Sequence, residues 1–185
     1  MSQSLTRERL VGWVCVNGIA AWLCGSVICR QSPELAAWSF GLAVGLLQSA
    51  AIGRTLREAL AWAVLTAISV PVAGLLAVIP LLLVAYANAD RSWIVGALLG
   101  VAVGAGVGVA QGAVFHMRHA PGRVIGIWTL ANSVSAAVVG ALALAVVPSR
   151  CGPQDATGAA LGAAFGLLTA LPLATVLRAV SSGRR

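Results

Sequence analysis

Six side chains with hydrogen-bonding chemistry lie deep inside apolar sequence: Asn17, Gln48, Thr66, Gln111, Asn132 and Thr169. They are amides and hydroxyls, which donate and accept hydrogen bonds but stay neutral. An amide left bare in hydrocarbon costs several kcal/mol, so each must find a partner. Two readings follow. The six can form an interhelical hydrogen-bond belt, at about 0.6–2 kcal/mol per contact, or they can line a small polar cavity that takes a solute or a lipid headgroup.

Other reactive groups are sparse. No Asp or Glu falls within an apolar run, so an intramembrane acid–base pair or proton relay is not expected. The chain has no Lys and hence no lysine-bearing phosphate loop. His116 and His119 flank Arg118, and histidines three apart can share a metal on one helical turn; with no third ligand nearby, a place in an interfacial loop is expected instead. Cys15, Cys24, Cys29 and Cys151 show no Cys-x-x-Cys spacing. Cys15 and Cys24 read as small packing residues. The expectation is a chain with no catalytic site, no metal and no cofactor.

The elements that must position the polar residues are set by composition. Of 185 residues, 59% are hydrophobic and only 9% charged, against about 25% charged in a soluble domain. Mean hydropathy is +0.95. This excludes a soluble enzyme and a disordered tail and indicates an all-α integral membrane protein forming one transmembrane domain over 1–185. A bilayer core needs about 20 apolar residues per helix. The charged and Pro-rich breaks divide the chain into six such segments, at 10–29, 35–52, 59–79, 93–115, 124–147 and 157–177. The first is too long for a signal h-region and has no small-x-small cleavage pattern, so it reads as a retained span. Ser32-Pro33-Glu34 is a helix start signal before the second. Pro71 and Pro172 fall inside spans and should kink them or be satisfied by neighbours. Residues 80–89 either extend the third helix to Tyr86 or lie as a short apolar cap.

All 12 cations are Arg, and the net charge is +7. In a soluble chain that balance would suggest nucleic acid; here the arginines punctuate apolar runs and read as topology anchors, so no nucleic-acid partner is expected. With the N-terminus inside, Arg7, Arg9, Arg54, Arg57, Arg118, Arg123, Arg178, Arg184 and Arg185 are inner, and only Arg30, Arg91 and Arg150 are outer. That asymmetry follows the positive-inside rule. It implies a bacterial cytoplasmic (inner) membrane protein with both termini cytoplasmic. The inner arginines can also meet anionic lipid headgroups. Cys29 and Cys151 fall on the outer side, where an oxidising compartment would let them pair; two unpaired thiols at helix ends is the alternative.

The polar residues recur with a pattern. Trp13-x-x-x-Asn17, Trp62-x-x-x-Thr66 and Trp128-x-x-x-Asn132 open the odd segments. The even ones carry Gly41-x-x-x-Gly45-x-x-Gln48, Gly104-x-x-x-Gly108-x-x-Gln111 and Gly162-x-x-x-Gly166-x-x-Thr169. One hairpin therefore recurs three times, over about 10–54, 58–118 and 123–178. Each returns to the same side, so the repeats are parallel in the membrane and can close as a pseudo-threefold six-helix bundle. At about 1.5 Å per residue, all six polar side chains lie roughly 9–14 Å in from the inner arginines, in one layer. Ser69 and Ser135 continue two of these faces one turn deeper.

Glycines four apart share a helix face and admit a neighbouring backbone. Gly96, Gly100, Gly104 and Gly108 form the longest such stripe, and Gly158, Gly162 and Gly166 another; Gly41 and Gly45 complete the set. Trp13, Trp62 and Trp128 are expected near the inner interface as anchors.

The pattern resembles a loosely defined class of uncharacterised bacterial multi-span membrane proteins with recurring Gly-x-x-x-Gly-x-x-Gln hairpins. The resemblance covers about residues 13–178. In that class an aromatic residue and then an Arg often follow the Gln; here Ser49 and Gly112 follow, and Thr169 replaces the third Gln. The class implies a fold and brings no activity.

Two functions fit. The first is an accessory or structural membrane component acting through helix packing, with the bilayer and a membrane-protein partner or a second copy as its contacts. The alternative is a facilitator or channel for a small neutral or weakly polar solute. They differ in whether Asn17, Gln48, Gln111 and Asn132 converge on a water-accessible pocket or pair across dry helix contacts.

Overall fold

The computed structural model describes residues 3–23, 36–52, 55–87, 92–146 and 156–182. Every regular element among them is an α-helix: α1 (Gln3–Leu23), α2 (Ala36–Ile52), α3 (Leu56–Ala87), α4 (Ser92–Met117), α5 (Gly122–Val146) and α6 (Ala156–Ser182). The six segments expected from the charge breaks each hold one helix. Cys24, Cys29 and Cys151, and with the last two the disulfide reading, lie outside the described residues, as do Arg30, Arg91 and Arg150.

Helix ends follow local chemistry. The Thr55 hydroxyl accepts the Glu58 amide N–H at 3.2 Å, an N-cap that starts α3. The Pro121 carbonyl accepts the N–H groups of Val124 and Ile125, which starts α5 without needing a proline N–H. α4 ends where Ala120 N–H bonds back to the Phe115 carbonyl and His119 takes a left-handed φ of 60°. That turn removes His119 from the helical face of His116, so the two histidines do not share one helical turn.

α3 is 32 residues long and continues through both Pro71 and Pro80. Residues 80–87 therefore belong to the third helix rather than to a separate cap. α6 likewise continues through Pro172.

Four helices among the described residues are long and apolar enough to cross a membrane: Leu56–Val78, Ser92–Met117, Gly122–Ala145 and Thr157–Val180. α2 contributes a shorter apolar run, Trp38–Ile52. Their outward faces are apolar, with Leu76 and Leu171 76% and 77% exposed. Apolar surface on this scale is what acyl chains, not water, would cover. Cys15 is on the exposed surface of α1 and does not pack inside the bundle, contrary to the packing role expected for it.

Each helix packs on those before and after it in the chain, and α6 packs on α1, closing the set. The glycines lie where backbones come closest. A Cβ at Gly45, Gly108 or Gly166 would sit 2.8, 2.7 or 2.9 Å from the Cα of Ala63, Thr129 or Val14, respectively. These three partners all directly follow a tryptophan of the Trp-x-x-x-Asn/Thr motif. One turn away, Gly104 and Gly162 face the backbone carbonyls of Asn132 and Asn17, and Gly41 faces those of Ala67 and Thr66. Thus α2 lies against α3, α4 against α5 and α6 against α1 in the same antiparallel register. Gly96 and Gly100 meet Gly140 and Ala136 of α5, and Gly158 is buried.

Candidate functional site

The six polar residues of the sequence pattern are all buried, none more than 4% exposed. Four of them join across four helices. The Gln48 side-chain nitrogen donates to Asn17 Oδ1 at 2.8 Å. Gln111 Nε2 donates to Gln48 Oε1 at 2.8 Å and to Thr66 Oγ1 at 3.2 Å. The chain Asn17–Gln48–Gln111–Thr66 therefore ties α1, α2, α4 and α3 together. Thr169 stands apart from it and accepts the Trp13 indole N–H at 2.9 Å. Asn132 donates to the Trp128 carbonyl of its own helix, as Asn17 does to that of Trp13.

The tryptophans of the motif face into the bundle rather than outward. Trp13, Trp62 and Trp128 are 0, 2 and 0% exposed. Their rings form a triangle with centroids 6.4 Å (Trp13–Trp62), 5.8 Å (Trp13–Trp128) and 6.4 Å (Trp62–Trp128) apart. Phe115 closes one side, 5.3 Å from Trp62 and 5.6 Å from Trp128 in edge-to-face contacts. The physical reason lies in the spacing. A residue four before an inward amide shares its helix face, so burying Asn17, Thr66 and Asn132 buries their tryptophans too. The sequence carried that signal, and reading indoles as interface residues passed over it. Val114, Leu173, Val176 and Leu177 pack into the same cluster, which fills the half of the bundle nearer the described arginines.

The indoles also bond the polar layer. Trp62 Nε1 donates to Gln48 Oε1 at 3.2 Å, alongside the Trp13–Thr169 bond. In both, the tryptophan of one hairpin meets the polar residue ending the glycine motif of the preceding one, counting cyclically. The corresponding third pair would be Trp128 with Gln111. Trp128 Nε1 and Gln111 Oε1 are both buried and neither has a hydrogen-bond partner.

On the opposite side of the layer the bundle is hollow. A cavity of about 400 Å³ is lined by all six helices, with Asn17 and Gln48 as its polar residues. It reaches from their level to Gly96, Leu144 and Gly158, close to the helix ends remote from the described arginines. The layer holds no ionisable side chain, and its chemistry is hydrogen bonding alone.

One ion pair went unforeseen. Arg118, at the end of α4, is buried and bonds Glu58 in the first turn of α3 at 2.8 Å, with side-chain exposures of 3% and 21%. Arg118 therefore points into the protein instead of toward lipid headgroups. The hint was Glu58 itself, an inner acid placed at the third position after Thr55, as in a capping box. Among the described residues no three His, Cys, Asp or Glu side chains come together. No family model, curated protein or solved structure matches the chain.

Proposed function

We propose that the chain is a six-span protein of the bacterial cytoplasmic membrane, with both termini inside, built from three parallel hairpins about a pseudo-threefold axis. On this reading it belongs with multi-span proteins of recurring Gly-x-x-x-Gly-x-x-Gln hairpins. It acts without catalysis, as a membrane component that binds other molecules of the bilayer, a partner protein or a second copy. The repeat is supported by the glycine contacts, which meet the same register position of the next odd helix three times, and by the near-equilateral tryptophan triangle.

The observation that carries the function is the pairing of the polar layer with itself. Asn17, Gln48, Gln111 and Thr66 bond one another and the neighbouring tryptophans, with Gln111 Oε1 left unpaired. Trp13, Trp62, Trp128 and Phe115 stop the bundle directly beside them. A solute path would have to open this belt and displace three indoles. The facilitator reading has the cavity in its favour, since Asn17 and Gln48 border it, and the tryptophan plug against it.

Proteoliposomes decide between the two. Swelling in glycerol or urea should match protein-free vesicles. A flux above that background that falls on Gln48→Ala would replace the accessory reading with the facilitator. Cross-linking in native membranes should also trap a partner or a self-oligomer.

A further inference from the structure

We infer that the cavity is a binding site for an aliphatic chain, the acyl tail of a lipid from the leaflet remote from the described arginines; this rests on the reading above that the bundle is embedded in a bilayer. The walls are apolar, with Phe40, Val44, Val103, Val139, Leu161 and Phe165 contributed by α2, α4, α5 and α6. The polar groups at the bottom already have protein partners. Asn17 bonds Trp13 and Gln48, and Gln48 bonds Asn17, Trp62 and Gln111. A buried water needs about two to four polar partners, so the space offers water almost nothing. The cavity is open to the outside rather than sealed, and its volume of about 400 Å³ falls in the size range of ligand pockets, about 300–1,000 Å³.

Its shape selects the occupant. The α4 wall runs from Gly96 to Val107, eleven steps at about 1.5 Å each, or roughly 16 Å. One leaflet of a hydrocarbon core about 30 Å thick is about 15 Å deep. About 400 Å³ spread over roughly 16 Å is a mean cross-section of about 25 Å², far less than a helix about 10–12 Å across with its side chains would need. A tail lying along the membrane normal fits both dimensions. It needs no polar recognition at its buried end, and its headgroup stays at the mouth near Gly158 and Leu144.

The three buried tryptophans report on this site, because two of them hold its floor: Trp62 bonds Gln48 directly, and the Trp13 carbonyl accepts from Asn17. Trp22, Trp38 and Trp93 are exposed on the outer surface and would be replaced by Phe to silence them. In nanodiscs of phosphatidylcholine brominated on its acyl tails, this triple variant should lose emission relative to ordinary phosphatidylcholine. Val44→Phe with Ala143→Phe, on opposite walls, should restore it, whereas Leu76→Phe on the lipid-facing surface should not. Native mass spectrometry of the wild type should show a retained phospholipid that the filled variant lacks. Where the double variant fails to fold, Val139→Leu serves as the milder filling and should give partial recovery. Emission unaffected by brominated tails, or quenched equally in the filled variants, overturns the proposal. Failure to enter nanodiscs at all would instead count against the membrane-spanning reading beneath it.

Discussion

At the scale of residues, the polar layer and the tryptophan triangle form one unit, and its weak point can be named. Trp13 and Trp62 each donate an indole N–H to a side-chain oxygen, whereas Trp128 Nε1 and Gln111 Oε1 are buried without partners. A made hydrogen bond contributes about 1 kcal/mol net, while an unmade buried one costs about 1–3 kcal/mol. Replacing any of the three by Phe removes similar ring volume from the same cluster. Trp62→Phe, however, also deletes a bond to Gln48, and Trp128→Phe deletes an unsatisfied donor. Trp128→Phe should therefore be the less destabilising by about 2–4 kcal/mol, the sum of the two terms. Denaturant titration in mild detergent, followed by near-ultraviolet circular dichroism, would measure the order. Equal or reversed losses would mean that Trp128 Nε1 has a partner in the membrane-embedded protein.

Among elements, glycine decides which helix faces meet. Lipid tails provide no hydrophobic drive between helices, so close backbone packing must hold α4 to α5. A Cβ at Gly100 would collide with the Ala136 backbone, while one at Gly12, Gly74 or Gly126 would meet nothing within 4 Å. Gly100→Ala should thus loosen the α4–α5 pair and lower the thermal midpoint. Gly126→Ala should leave it unchanged or raise it, since it gains up to about 1 kcal/mol of helix propensity. Intact Gly100→Ala protein would show that these glycines are incidental. The positions of the helices and the glycine stripes were legible because apolar length and i, i+4 spacing survive in a one-dimensional reading. The burial of the six polar residues follows from the same reading. Partners across helices were not legible, since nothing local in Gln48 says that it joins Asn17 to Gln111, or in Glu58 that it receives Arg118. The run of α3 through Pro80 to Ala87 was ambiguous because proline breaks a helix only where its neighbours fail to compensate.

For the whole molecule, the same set of packed pairs yields two unlike halves: a solid one around three indoles and a hollow one above the amides. Both depend on closure of α6 onto α1, because without it Thr169 would lose Trp13 and the cavity would lose a wall. α1 is the least apolar of the six helices and carries Arg7, Glu8 and Arg9 in its first turns, so its place rests on being covered by α2 and α6 more than on its own hydropathy. Closure is testable covalently. A Cβ at Gly18 would lie 3.6 Å from the Cβ of Ala163, close to the roughly 3.8 Å spacing of disulfide-bonded residues. In a variant with its native cysteines changed to Ser, Gly18→Cys with Ala163→Cys should oxidise to an intramolecular disulfide joining α1 to α6. Peptide mapping without reductant would identify the linked pair. Gly12→Cys with Ala163→Cys should stay reduced, since nothing lies within 4 Å of a Cβ at Gly12. If the first pair also stays reduced under oxidant while the protein remains folded, α1 is not seated against α6. The ring would then be open, and the shared register of the three glycine contacts would lose one of its members.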